Sequence, residues 1–382
     1  MKQETTSSAA GPPQGARAPA GGSAVALAAS VGAHIFRADV QSMHAYAIQP
    51  SAGMVKLDAM ENPHRLPAAL QAQLGQRLGA LALNRYPGER VNDLRRALAA
   101  YARMPEGCDI MLGNGSDELI SLIAMACDVP GACILAPEPG FVMYAMSARL
   151  QGLKFVGVPL TPDFELDLPA MLAAIALHKP SVVYIAYPNN PTANLWSDAA
   201  IDRIIEAAPG LVVIDEAYQP FSSRSYGARI AAHGHVLLMR TLSKFGLAGV
   251  RLGYLIGPKA VVGEIDKVRP PYNVSVLNCE CALFALEHEE VFAAQARAVR
   301  EERAALQRAL AALPGVQSWP SDANMILVRV PDAQKTFEAM KSRGVLVKNV
   351  SKMHPLLANC LRLTVGTADE NTQLLAALQA SL

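Results

Sequence analysis

The sequence predicts an α/β fold: a three-layer αβα domain around a mostly parallel sheet, followed by a smaller α+β domain. Three observations carry this. Short apolar runs alternate with helical segments from about residue 90 to 257. Several runs are apolar throughout rather than alternating, as strands covered on both faces are. After about residue 275 the pattern changes to one long helix followed by three spaced apolar runs.

Taken in order, residues 1–35 are rich in Ala, Gly, Pro and Ser and poor in large apolar side chains. Such a segment buries too little surface to offset its ordering entropy, so it reads as a disordered tail. Residues 91–102 (VNDLRRALAAYA) have helical periodicity. Residues 132–137, 154–160, 181–188, 211–218, 235–241 and 253–257 read as buried strands, with helices at 167–178 and 198–208 between them. A long helix is expected at roughly 288–313. Runs at 325–330, 345–350 and 360–367 follow, with a helix between the first two and another at the end.

Composition excludes several functions. The 382 residues are 51% hydrophobic, which is enough for more than one domain and a large core. With 34 Lys+Arg against 33 Asp+Glu, nothing favours nucleic acid or an anionic membrane. The six cysteines lack zinc spacing, since Cys279 and Cys281 are separated by a single residue. They read as free thiols in a reducing compartment. No apolar run approaches the roughly 20 residues that cross a bilayer. Residues 24–33 lack the flanking charge of a signal peptide, so the cytoplasm is expected.

The chemistry concentrates in residues 240–254 (RTLSKFGLAGVRLGY). Lys244 sits among small and apolar residues. Burial would leave its amine neutral and nucleophilic toward a carbonyl. Thr241, Ser243 and Arg251 suit a phosphate ester. A carbonyl cofactor bearing a phosphate satisfies both, and pyridoxal 5′-phosphate is one. Upstream, residues 112–126 (LGNGSDELISLIAMA) place Ser116 and Asp117 where either can cap a helix whose free amides also bind phosphate. Asn190, in 186–196 (AYPNNPTANLW), follows a strand at the end where open α/β sheets bind ligands, although an Asn-Pro turn is commonly just a turn. Residues 211–218 (LVVIDEAY) end a buried strand on two carboxylates and a tyrosine. A protonated pyridine nitrogen would satisfy Asp215, and Tyr218 could donate to the ring's phenolic oxygen. A metal site of the P-loop kind would need a GxxxxGK[ST] loop, which is absent. A nicotinamide site would need GxGxxG, and GNGSDE lacks that spacing. Phe141, in 137–144 (PEPGFVMY), could stack on a flat ring or simply pack.

The ordered motifs GSDE, PNNPT, DEAY and TLSKxxxLAGxRxG resemble those of class II fold-type I pyridoxal-phosphate aminotransferases, most closely the histidinol-phosphate branch. Residues 57–63 (LDAMENP), 84–88 (NRYPG) and 361–367 (LRLTVGT) extend the likeness over nearly the whole chain after the tail. The resemblance implies an N-terminal arm at 36–70 associated with a small domain at 275–382, and a cofactor domain at 71–274. It makes Lys244 the Schiff-base lysine and proton carrier, and Asp215 the partner of the pyridine nitrogen. Tyr218 and Asn190 become donors to the ring oxygen, and Phe141 the stacking aromatic. Ser116, Asp117, Thr241, Ser243 and Arg251 hold the phosphate. Arg362 holds the substrate's anionic group, and Tyr46 lies near the substrate phosphate. The implied reaction converts L-histidinol phosphate and 2-oxoglutarate to imidazole-acetol phosphate and glutamate, in histidine biosynthesis, by a homodimer. An aromatic amino-acid aminotransferase or a threonine-phosphate decarboxylase shares the same motifs. Retention of Lys244, Asp215, Tyr218 and Arg251 together argues against a non-catalytic ligand-binding protein.

Three positions depart from the family pattern. Ala193 replaces a usual glycine, which bears on the turn there. Asn62 stands where some members carry a tyrosine that reaches the neighbouring subunit's cofactor phosphate; either Tyr86 takes that role or an asparagine contact suffices. Lys348 stands where some members have a second phosphate-binding arginine, and lysine lacks the bidentate fork.

Overall fold

A computed structural model describes residues 35–43 and 49–382. The chain divides into two units, one ending at Pro50 and the other running from Ser51 to Leu382. In the first, a short helix (Ala38–Gln41) is preceded by Arg37, whose guanidinium pairs with Asp39 at 2.7 Å. Most of the expected tail, and Tyr46, lie outside the described residues.

The second unit is built on a seven-stranded sheet: β1 (Cys108–Gly113), β2 (Cys133–Glu138), β3 (Lys154–Pro159), β4 (Val182–Ala186), β5 (Leu211–Asp215), β6 (Val236–Thr241) and β7 (Gly253–Pro258). Their spatial order is β1-β7-β6-β5-β4-β2-β3. Only β7 runs antiparallel to its neighbours. Helices cover both faces, so the central strands are apolar on both sides. On β4 and β5, Val183, Ile185, Val212 and Ile214 join one core; Val182, Tyr184 and Val213 join the other. This period of two decides where the strand ends point. Asp215 follows Val213 onto the second face, as Thr241 follows Met239. Glu216 and Arg240 fall on the first face, where they pair at 2.8 Å, both buried.

The sequence reading needs four amendments. Strand β1 was not anticipated, because its residues merge into the glycine motif that follows. Strand β3 is a sheet edge and only partly buried, not a buried strand. The helices Ala68–Gly79, Val142–Gln151, Lys259–Asp266 and Val276–Glu287 were also not anticipated. The run at 345–350 is two short strands rather than one: Val345–Leu346 pairs in parallel with Val55–Lys56, and Lys348–Asn349 joins a second sheet. That sheet comprises β8 (Gln317–Ser318), β9 (Met325–Arg329), β10 (Lys348–Asn349) and β11 (Cys360–Thr364), antiparallel in the order β10-β11-β9-β8. It packs on the long helix Glu289–Ala311 and the last helix, Ala368–Gln379, through Val299, Leu306, Val328, Leu363 and Leu374.

The buried Arg240–Glu216 pair yields a first prediction. Arg240→Met leaves the Glu216 carboxylate buried without its cation, which should cost about 3–5 kcal/mol of unfolding free energy. Urea denaturation measures it, and an unchanged midpoint contradicts the pairing.

Candidate active site

The carboxyl ends of β4, β5 and β6 open on a cavity of about 340 Å³. Every cofactor-site residue expected from the sequence lines it: Ser116, Asp117, Phe141, Asn190, Asp215, Tyr218, Thr241, Ser243, Lys244 and Arg251. Arg362 joins through Asn190, as described below.

Lys244 leaves β6 in a single π-helical turn, Ser243–Leu247, an irregularity often found at functional sites. Its amine lies deep in the cavity and donates to the Ala59 carbonyl at 2.9 Å. Burial, and secondarily the Arg362 charge, lower its pKa to about 8. A substantial neutral fraction therefore exists near physiological pH.

Asp215 is also removed from water, and burial raises its carboxyl pKa to about 6. Two donors oppose that shift: the Tyr144 hydroxyl at 2.6 Å and the Ala217 amide at 3.0 Å. Among its nearest charged groups are the carboxylates of Asp117 and Glu216, which raise its pKa further. The site thus presents a buried anion suited to a cation from a ligand.

A chain of side-chain hydrogen bonds links Tyr218 to Arg362 through Asn190. Asn190 Nδ2 donates to the Tyr218 oxygen at 3.0 Å, and Asn190 Oδ1 accepts from Arg362 at 2.8 Å. Arg362 also donates to the Asp58 carbonyl at 2.8 Å. Burial raises the Tyr218 pKa, so its phenol stays protonated with its own hydrogen available to a ligand. Lys348 stands directly opposite Arg362 across the β10–β11 pair, which places a second cation on that part of the sheet.

The opposite end of the cavity is an anion cradle. The helix Ser116–Ala126 begins after Gly115 (φ 84°), and no side chain caps it. This corrects the expectation that Ser116 or Asp117 caps the helix: both lie inside its first turn, so their amides remain open to a ligand. Arg251, itself at φ 54°, reaches Asp117 at 3.2 Å and Ser243 at 3.5 Å. Thr241 donates to Ser243 at 3.0 Å. A Cβ at Gly115 would lie 2.7 Å from the Arg251 guanidinium, and one at Gly253 would lie 2.7 Å from the Ser116 amide nitrogen. Glycine at both places is what lets this cluster close up.

Phe141 immediately precedes the helix Val142–Gln151 and meets Tyr144 edge-on at 5.6 Å. Sequence reasoning missed Tyr144 as a site residue, although a helical spacing of three from Phe141 placed it on the same face. It also missed Ala59, Met60 and Glu61, which come from the segment after Val55–Lys56 and have no motif of their own chemistry. Ala193 adopts the left-handed conformation that favours glycine (φ 65°), with its amide donating to the Asn189 carbonyl at 2.9 Å. Asn62 is engaged within its own chain, donating to the Phe245 carbonyl and to Gln295. Tyr86 is 73% exposed and stacks on Tyr272 at 4.0 Å.

The pattern of the aminotransferase class I and II family matches residues 52–378. Over 351 residues the chain is 77% identical to a histidinol-phosphate aminotransferase of Polaromonas naphthalenivorans, covering 91% of this chain and 96% of that protein. It is 72% identical to one from Methylibium petroleiphilum, covering 92% of this chain and 95% of that protein. The fold matches the crystal structure of histidinol-phosphate aminotransferase from Sinorhizobium meliloti in complex with pyridoxal-5′-phosphate, with a TM-score of 0.79 and 24% identity. The match covers 91% of this chain and 97% of that one.

The environment of Lys244 can be titrated. In the cofactor-free protein, acylation of Lys244 should follow a curve centred near pH about 8, the value burial imposes. Peptide mapping by mass spectrometry across pH reads it. A midpoint at the ordinary lysine value of about 10.4 contradicts the buried placement.

Proposed function

Because the chain belongs to the aminotransferase class I and II family, we propose that it transfers the amino group of L-histidinol phosphate to 2-oxoglutarate, giving imidazole-acetol phosphate and L-glutamate, with pyridoxal 5′-phosphate as cofactor. The identity of 77% to a histidinol-phosphate aminotransferase along 91% of the chain carries the choice of substrate. The chemistry is carried by one arrangement: a buried amine between an anion cradle and a buried carboxylate.

The cofactor fits the donor set. The open amides of Ser116 and Asp117, with Thr241, Ser243 and Arg251, hold its phosphate. Asp215 holds its ring nitrogen, Tyr218 and Asn190 its phenolic oxygen, and Phe141 one ring face. When bound, pyridoxal phosphate supplies a carbonyl carbon for an amine and a ring that accepts the electrons released at the substrate's Cα. The chain supplies the remainder. Lys244 Nζ, partly neutral near pH 7, would take the Cα proton and hand it to the carbon that ends up carrying the transferred amino group. Asp215 remains an anion and keeps the ring nitrogen protonated. The protonated Tyr218 phenol and Asn190 keep negative charge on the ring oxygen. Arg362 binds the phosphate of histidinol phosphate and, in the second half of the cycle, a carboxylate of glutamate. Lys348 adds charge beside it.

The seven-stranded sheet lies within the proposed cofactor domain, 71–274, and the four-stranded sheet within the proposed small domain, 275–382, with 36–70 as the arm. No helix among the described residues is long and apolar enough to cross a membrane. We read the protein as a cytoplasmic homodimer. Asn62 is occupied within its own chain, whereas the exposed, stacked Tyr86 is available to reach a second copy's cofactor phosphate.

Single-turnover absorbance of the loaded enzyme separates substrates. L-histidinol phosphate should convert the cofactor to its amine form with a second-order rate constant at least about 100-fold above that of L-phenylalanine, which carries no phosphate for this part of the site to bind. Faster conversion by phenylalanine overturns the substrate assignment.

A further inference from the structure

Asp215 is the only carboxylate expected to touch the cofactor ring, yet its surroundings work against its charge. The groups that act most on it are Tyr144 and Tyr184, Tyr218 just beyond its own strand, Asp117 from the anion cradle and Glu216 beside it in the chain, while the cations Lys244 and Arg251 line the same cavity but bond to the Ala59 carbonyl and to Asp117. Among the described residues no cation forms an ion pair with it. Hydrogen bonds are therefore what keep the carboxylate ionised, and the backbone supplies one of them, from Ala217 to Oδ1.

The other comes from Tyr144, whose hydroxyl donates to Oδ2 at 2.6 Å. The short distance is typical of an O–H donor on a charged acceptor. Tyr144 is 2% exposed and its position is tightly determined. Its ring stacks on Tyr184 with centroids 4.3 Å apart and planes 8° apart. The edge of Phe141 closes another side. The helix Val142–Gln151 that carries it is tied to Ser116–Ala126 by a Ser147–Ser121 contact of 3.4 Å. Nothing else in the proposed reaction uses this buried phenol.

We infer that Tyr144 is a positioning residue: held by the Tyr184 stack, it donates to Asp215 from behind and keeps that carboxylate ionised and aimed at the cofactor's ring nitrogen. The inference rests on the proposed facing of Asp215 and that nitrogen. Removing the hydroxyl leaves Oδ2 buried without this donor. The carboxylate then holds a proton more readily, and the ring nitrogen loses its share. The ring accepts electrons less well, and Cα–H cleavage slows.

Tyr144→Phe tests this in the loaded enzyme, beside Asp215→Asn and the wild type. Three readouts are needed: kcat and KM for L-histidinol phosphate against pH, the ¹⁵N resonance of cofactor labelled at its ring nitrogen, and the thermal midpoint. Tyr144→Phe should lower kcat by about 10- to 100-fold, the worth of one hydrogen bond to a charged group, with KM little changed. Because Asp215 must be ionised to act, loss of a donor to its charged form moves the acid limb of the kcat profile to higher pH. The ¹⁵N resonance should move toward the unprotonated position. A purely structural role would lower the thermal midpoint and leave limb and resonance in place. The inference is overturned if Tyr144→Phe keeps the wild-type limb and resonance while Asp215→Asn loses kcat and shifts the resonance. If Asp215→Asn also keeps wild-type kcat and resonance, the facing of Asp215 and the ring nitrogen is wrong, and the inference falls with it.

Discussion

Taking one amine and one carboxylate out of water in the same cavity is the constraint on which the rest of this site depends. Burial lowers the Lys244 pKa to about 8 and raises that of Asp215 to about 6. The signs matter. Stability associated with Asp215 falls as pH rises through about 3.8 to 6, where the folded state holds the proton more tightly. Stability associated with Lys244 is regained only as pH rises from about 8 toward 10.5. Between these windows both desolvation costs are present together. A ligand that presented a cation to Asp215 and bonded to the amine of Lys244 would offset both, which would couple its binding to fold stability.

The sheet delivers these groups by parity. On β5 the alternation that buries Val213 against one helical layer also turns Asp215 toward it. On β6 the same rule carries Thr241 to that face. Glu216 and Arg240, one step out of phase, neutralise each other on the far side. Two adjacent carboxylates thus have unlike fates: one is spent on structure, and the other is left for a ligand. The helix Ser116–Ala126 begins at the same end of the sheet, where β1 terminates, and its open amides complete the charge pattern.

Much of this could be read from the residues, for identifiable reasons. The central strands announce themselves because burial on both faces makes them continuously apolar. The motifs around Lys244, Asp215, Asn190 and Ser116 stand out because polar groups at buried strand ends are costly and hence rare. The failures follow from the same physics. Strand β1 is an edge strand that runs into a glycine turn, so no clean apolar run marks it. Strand β3 is the opposite edge, and its apolar sequence overstated its burial. The run at 345–350 looks like one strand, but its two halves pair with different partners, which local periodicity does not report. Tyr144 was invisible as a site residue because a tyrosine on an amphipathic helix reads as core packing. Only the fold brings its hydroxyl to Asp215. Likewise Ala59 contributes a carbonyl, and a backbone atom has no sequence signature.

The central claim is that the amine of Lys244, and no other, forms the covalent link to the cofactor. Borohydride reduction of the cofactor-loaded protein, followed by proteolysis and mass mapping, tests it directly. The account predicts the reduced cofactor's mass on the peptide carrying Lys244 and on no other peptide. Label on a different lysine, or a protein that binds the cofactor and retains no label after reduction, contradicts it.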